Sequence, residues 1–132
     1  MVEVTTRTLG GFKVEARAGG VSLRLDEPVE AGGEGTGPTA SQALLAALSG
    51  CAAMTLMGYA KRKQWPLTNV VIQATLERPP AGAKGEPQRI VQTIRLEGAL
   101  DDEQKARLLE IAGKCPVHRT LEGPLAMEER LA

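Results

Sequence analysis

The sequence has 132 residues and a mass of 14.0 kDa, which predicts a single domain covering residues 1–132. Its 16 basic and 16 acidic residues cancel, and no basic stripe with interleaved aromatic residues is present, which argues against nucleic-acid binding. With one Phe, one Tyr and one Trp, the core must consist mainly of small aliphatic side chains. Such a core gains buried area by sharing a surface with a second copy, so an oligomer is expected.

The N-terminal residues, MVEVTTRTLGGFKVEAR, lack the basic and apolar regions of a signal peptide. A cytoplasmic location is therefore expected. In that reducing compartment the two cysteines are not expected to form a permanent structural disulfide, and chemistry, metal binding or plain burial are the alternatives.

Three short strands are predicted in the first quarter of the chain, in VEVTTRTL, FKVEARA and VSLRLDE. Pairs of glycines separate them and supply the positive φ angles of tight hairpin turns. The Gly-rich stretch that follows, Pro28 to Pro38, lacks the GK[ST] of a phosphate-binding loop. It is interpreted as a flexible connector.

The second half of the chain predicts further alternation of strands and helices. Val70, Ile72, Ala74 and Leu76 alternate with polar residues, as do residues of RIVQTIRLEG, and LDDEQKARLLEIAGKC has the pattern of an amphipathic helix. CPVHRTLEG is predicted to be a loop because of its proline, and PLAMEERL a short closing strand. This order predicts an α+β fold with a largely antiparallel sheet.

An uncharged run from Ala43 to Ala60 reaches the lower edge of the length of a membrane span. Its many alanines, with Ser49 and Thr55 among them, make it too weakly hydrophobic to insert well, so no membrane association is expected. The alternative is a helix that is apolar, and therefore buried, on every side. A chain this small cannot wrap such a helix alone, which again predicts a dimer.

Cys51 lies in the middle of this run. A buried, inert thiol is the plain interpretation, but the neighbouring Gly50 weakens the helix and could allow a bend that exposes backbone N–H groups to the sulfur. Cys115 and His118 form a C-x-x-H pair, yet the chain has too few cysteines and histidines for a structural zinc site. No metal is therefore expected.

Two long motifs, GPTASQALLAALSGCAAMTLMGYAKRKQWPL and LLEIAGKCPVHRTLEG, resemble the OsmC/Ohr family of thiol peroxidases. The resemblance extends from about Val21 to Met127 and implies an intertwined homodimer, with two long central helices between sheets. It also implies that Cys51 is the peroxidatic cysteine, whose thiolate attacks an organic hydroperoxide and becomes a sulfenic acid. Cys115 is then the resolving cysteine, and an external thiol reduces the resulting disulfide.

The family also places an arginine beside the peroxidatic sulfur. Arg24 is the best match and Arg17 the second. Relatives hold that arginine with a glutamate nine or ten residues before the cysteine, where this sequence has Gln42 and Ser41. Since a neutral partner cannot provide a charge-assisted hydrogen bond, this departure puts the strength of any peroxidase activity in doubt. The alternative function is a non-enzymatic protein of the same fold that binds a small apolar ligand or senses redox state.

Overall fold

A computed structural model describes all residues from Met1 to Ala132. Antiparallel strand pairs and helices give the predicted α+β fold. The chain consists of two compact units, Met1–Leu44 and Leu45–Ala132. In chain order the elements are β1 (Thr5–Gly10), β2 (Lys13–Ala18), β3 (Val21–Leu25), a short 3-10 turn (Val29–Ala31), α1 (Ala40–Lys63), β4 (Leu67–Glu77), β5 (Arg89–Gly98), α2 (Asp102–Ala112) and α3 (Pro116–Glu122).

The N-terminal unit contains a three-stranded antiparallel sheet in the order β1-β2-β3, which confirms the three predicted strands. Gly11 (φ +57°) and Gly19 (φ +60°) occupy the turns, in a backbone region that other residues rarely adopt. In the single chain several apolar side chains of this unit remain exposed, among them Phe12, Val21 and Leu23. This sheet therefore lacks a covering layer of its own.

The Gly-rich segment is not the flexible connector that its composition suggested. It folds back on Asp26, a carboxylate only 3% exposed. Asp26 accepts hydrogen bonds from the backbone N–H of Glu27 (2.8 Å), Glu34 (3.3 Å) and Thr36 (3.1 Å), and from the Thr36 hydroxyl (2.8 Å). The Thr36 backbone N–H lowers the pKa of Asp26 most strongly, although burial opposes it. A single acidic side chain thus closes the loop.

In the C-terminal unit β4 pairs with β5 as a long antiparallel hairpin, as predicted. Every second side chain of β4 points toward the core. Val70 of β4 packs against the main core cluster, as do Ile94 and Leu96 of β5. The main core cluster lies between this hairpin, α1 and α2. Its buried members are Leu56, Ala60, Leu67, Leu108, Ile111 and Ala112.

In the single chain, helix α1 is buried along one stripe only, as expected of a chain too small to wrap an apolar helix alone. Leu48, Ala52, Leu56 and Ala60, spaced four residues apart, are its buried residues. Met54, by contrast, is 72% exposed and Met57 41%. By length and composition alone the helix could cross a membrane, a test that the core helices of soluble proteins also pass. Its outer face is thus an apolar surface that the single chain leaves uncovered.

The end of the chain differs from its prediction in two ways. CPVHRTLEG was expected to be a loop, but residues Pro116–Glu122 form helix α3. The prediction was wrong because proline is well tolerated in the first turn, where its missing N–H would have had no helical partner. The expected closing strand in PLAMEERL is also wrong, since residues 124–132 contain no regular secondary structure.

The only tyrosine and the only tryptophan lie near the end of α1, and the tyrosine also contacts α2. Tyr59 and Trp65 meet edge to face, with ring centroids 5.5 Å apart. Arg107 of α2 donates from Nε to the Tyr59 hydroxyl at 3.1 Å. That hydrogen bond is the main cause of a lowered pKa of Tyr59, and the positive charges of Arg107, Lys63 and Arg62 add to it.

Candidate active site

The structure brings the two cysteines together, although they are far apart in the sequence. Cys115 is buried with Leu48 and Ala52 of α1, and Cys51 packs against this cluster. Cys51 lies close enough to Cys115 to contribute to the raised pKa of the Cys115 thiol. Both cysteines are free thiols. The C-terminal unit therefore contains an adjacent pair of reduced sulfurs.

Cys51 is the more accessible of the two. It is half-buried, whereas Cys115 is 0% exposed. Helix α1 runs without a break from Ala40 to Lys63, so Gly50 and Cys51 lie in its interior. Backbone N–H groups in the interior of a helix donate to carbonyls four residues earlier. Stabilisation of a Cys51 thiolate must therefore come from side chains.

Cys115 has a structural role at the start of α3. It is the residue that caps this helix, and its Sγ accepts a hydrogen bond from the His118 backbone N–H at 3.4 Å. Burial raises the pKa of the Cys115 thiol, the His118 N–H opposes that rise, and the neighbouring Cys51 adds to it. Cys115 is consequently protonated at neutral pH.

The two candidate arginines lie on the strands of the N-terminal unit. Arg24 is exposed on β3 and lies opposite Glu15 in the strand register. Arg17 on β2 is engaged elsewhere, because its Nε is 3.2 Å from a Glu15 carboxylate oxygen that also pairs with Arg7 at 3.0 Å. Of the two arginines, Arg17 is therefore the one held in an ion pair.

Gln42, which stands where an acid was expected, caps the N-terminus of α1. Its Oε1 accepts a hydrogen bond from the Thr39 backbone N–H at 2.9 Å, and the Thr39 hydroxyl accepts one from the Gln42 N–H at 3.1 Å. This is a capping box, in which a glutamine serves as well as a glutamate. Ser41 lies partly buried in the same first helical turn.

His118 lies on α3, three residues after Cys115. Its Nε2 is 3.1 Å from a Glu122 carboxylate oxygen, so its imidazole is oriented by a neighbour on the same helix. No group of three or more His, Cys, Asp or Glu side chains is arranged to hold a metal ion. His118 contributes instead to the wall of a cavity.

That cavity has a volume of about 470 Å³ and lies in the C-terminal unit. Apolar residues from α1, β5, α2 and α3 form most of its wall, and Gln88, Gln92, His118 and Glu122 are its polar residues. Leu48 and Ile90 line the cavity and also pack in the cluster around Cys115. Sequence patterns did not single out Gln92, because on β5 it is one polar residue among several.

A family model described as OsmC-like protein matches residues 33–130. The chain belongs to the OsmC-like family. This membership confirms the resemblance carried by the two motifs, and the matched span includes both cysteines. No curated protein matches the sequence significantly, so family membership rests on the family model.

Solved structures confirm the fold of this OsmC-like chain. It is similar to an OsmC-like protein from Mycoplasma pneumoniae, with a TM-score of 0.80 and 20% identity over 94% of this chain and 89% of the other. The organic hydroperoxide resistance protein OsmC from Legionella pneumophila gives a TM-score of 0.69 and 22% identity over 95% and 93%. OhrB, the organic hydroperoxide resistance protein of Bacillus subtilis, gives 0.62 and 22% over 95% and 93%.

Proposed function

We propose that this protein is a cysteine-based peroxidase that reduces organic hydroperoxides at Cys51 and is recycled through a disulfide with Cys115. Support comes from membership of the OsmC-like family and from structural neighbours named as organic hydroperoxide resistance proteins. The observation that carries the proposal is the contact between a half-buried and a fully buried free thiol. Two neighbouring cysteines can form a disulfide, and a thiol can reduce it again, without a metal or an organic cofactor.

The first step transfers one oxygen atom. The Cys51 thiolate attacks the outer oxygen of the peroxide, the O–O bond breaks, and the leaving alkoxide takes up a proton to become the alcohol. Cys51 is oxidised to a sulfenic acid. In the second step the Cys115 sulfur attacks the Cys51 sulfur, a water molecule leaves, and a disulfide forms. An external dithiol then reduces that disulfide and is itself oxidised.

The different environments of the two cysteines suit these different roles. Cys51 is accessible to a substrate, whereas burial protects Cys115 from peroxide and raises the pKa of its thiol. Only the first sulfur needs to be a thiolate at rest, since the second acts on a sulfenic acid that is already in contact with it. The order of attack follows from exposure and protonation.

Arg24 is assigned to the stabilisation of the Cys51 thiolate and of the developing negative charge on the peroxide. Loss of a single charge-assisted hydrogen bond of this kind lowers turnover by about 10²–10³-fold. Arg24→Ala should therefore show such a decrease, whereas Arg17→Ala, a matched control on the next strand, should leave turnover within about twofold of wild type. Equal decreases in both variants would remove Arg24 from this role.

A homodimer in the cytoplasm is part of the proposal. The exposed face of α1 carries Met54 and Met57, and Val21 and Leu23 of β3 are exposed as well. Apolar surface of this extent is uncommon on a monomer and marks an interface. A second copy of the chain is the partner that the family resemblance implies, and it would cover the helix face that a single chain leaves open.

The deciding experiment measures the alcohol formed from cumene hydroperoxide, with a dithiol as the reductant. Wild-type protein should form alcohol catalytically, and Cys51→Ser should form none above the rate without protein. Equal turnover by wild type and Cys51→Ser would exclude the peroxidase. In that case a non-enzymatic, ligand-binding function would be the remaining interpretation.

A further inference from the structure

Asp26 is a charged side chain that the proposed chemistry does not use, although it lies only two residues after Arg24. It follows the end of β3 and is 3% exposed. A buried carboxylate is costly unless hydrogen bonds replace its water. Three backbone N–H groups and one hydroxyl of residues 27–36 supply those hydrogen bonds. The Gly-rich segment is therefore held in one conformation around a single charge.

Asp26 holds this segment on both sides of Gly37. Its Oδ2 accepts from the Thr36 backbone N–H at 3.1 Å and from the Thr36 hydroxyl at 2.8 Å. Its own backbone N–H donates to the Pro38 carbonyl at 3.1 Å. Thr36 and Pro38 are the neighbours of Gly37 in the sequence. One residue thus fixes the position of Gly37 from both directions.

Gly37 in turn lies directly against Arg24. A Cβ at position 37 would be 2.6 Å from the carbonyl oxygen of Arg24 and 3.5 Å from its Cγ, so only a glycine allows this approach. The backbone of Gly37 therefore occupies the space beside the aliphatic stem of Arg24. Packing against a stem restricts the rotamers of a side chain, and here it restricts the directions in which the guanidinium can point. All three residues belong to the N-terminal unit.

We infer that Asp26 is a positioning residue for Arg24. By fixing Gly37 against the Arg24 stem, Asp26 holds the guanidinium in the orientation that stabilises the Cys51 thiolate and the developing charge on the peroxide. This inference rests on the proposed function, which assigns that stabilisation to Arg24. Asp26 takes no part in the chemistry itself, because its buried carboxylate accepts hydrogen bonds from the Gly-rich segment and from Glu27.

A double-mutant cycle tests this role, with the reduction of cumene hydroperoxide by a dithiol as the assay. Asp26→Asn introduces an amide that cannot accept from all the donors around position 26, so Gly37 and Arg24 are released. Displacement of a group at the chemistry by about 1 Å costs about 10²-fold, and Asp26→Asn should lower kcat/KM by about that factor. In an Arg24→Ala background the same substitution should change kcat/KM less than twofold, since the group it positions is already missing.

Two further variants separate positioning from stability. Glu34→Gln is the matched control, because the Glu34 side chain pairs with Lys13 at 2.6 Å while its backbone N–H donates to Asp26. It should keep kcat/KM within twofold of wild type. Gly37→Ala keeps the carboxylate and its donors but places a methyl group against Arg24, so it should lower kcat/KM at least tenfold, again only when Arg24 is present. Circular dichroism at the assay temperature establishes that each variant is folded.

A readout without turnover separates this inference from the proposed function. The heteronuclear NOE of the Arg24 Nε–Hε group, measured without peroxide, should fall in Asp26→Asn because the stem is no longer restricted. Such a fall, together with peroxide reduction that does not require Cys51, would refute the proposed function alone. Reduction that requires Cys51 and Arg24, together with an unchanged NOE or with equal losses from Asp26→Asn in both backgrounds, would overturn the assignment of Asp26 alone.

Discussion

Substitution of Cys115 separates its role in capping from its role in chemistry. Alanine removes a fully buried sulfur and the acceptor of the His118 N–H. Loss of the cap costs about 1 kcal/mol, and loss of the buried sulfur roughly another 1 kcal/mol. Cys115→Ala should therefore unfold about 2 kcal/mol more easily than wild type. Serine keeps an oxygen acceptor at the cap, so Cys115→Ser should recover about half of that loss.

The chemical consequence is the same for both variants, because each lacks the second thiol. Without any external thiol, wild type should consume an equivalent of peroxide per subunit and lose both thiols to a disulfide. Cys115→Ser and Cys115→Ala should consume the same amount but stop at the sulfenic acid on Cys51. Trapping with dimedone and mass spectrometry detect the sulfenic acid, and urea unfolding of the reduced proteins gives the stabilities.

Two results would refute this reasoning. If wild type consumed peroxide without forming a disulfide between Cys51 and Cys115, the contact between these side chains would have no role in resolution. If Cys115→Ala were as stable as wild type, the sulfur would not act as the cap of α3. Each result is independent of the other, so the capping and resolving roles are tested separately.

Three further predictions concern the dimer, the loop around Asp26 and the environment of Tyr59. If the proposed dimer forms through the exposed face of α1, Met54→Asp should make the protein monomeric in light-scattering measurements, whereas Met127→Asp, at a side chain that is also exposed, should leave the dimer intact. Asp26→Asn should lower the melting temperature at neutral pH, because an amide cannot accept from all the donors around that carboxylate. Since folding lowers the pKa of Asp26 from its ordinary 3.8, its stabilisation is complete above about pH 3.8 and disappears as the pH falls through the lower, folded value. The difference between wild type and Asp26→Asn should shrink accordingly, and a constant difference down to acid pH would contradict this assignment. Arg107→Gln should raise the pKa of Tyr59, the only tyrosine. An unchanged ultraviolet titration of Tyr59 would show that the hydrogen bond from Arg107 does not lower its pKa.

Local sequence patterns determined most of the secondary structure of this protein. Residues close together in the sequence specify the alternation of apolar and polar side chains in a strand. They also specify turns that need a positive φ. For this reason β1 to β5 and the turn glycines could be predicted. The two cysteine motifs likewise contained enough consecutive residues to indicate the family. Helix α3 was missed because a proline at position 116 is compatible with both a loop and the first turn of a helix. The capping sulfur of Cys115 decides between the two, and sequence patterns do not include cysteine among common caps.

Contacts between residues far apart in the sequence depend on how the chain packs. The contact between Cys51 and Cys115 depends on how α3 packs against α1, and no local pattern encodes that distance. The closure of the Gly-rich segment around Asp26 and the buried oxygen of Gln92 are also long-range results. Residue types and motifs were enough to indicate which side chains could react. Packing decided which thiol is accessible, which is protonated and which cavity lies beside them, because burial and the partners of a group depend on the whole fold.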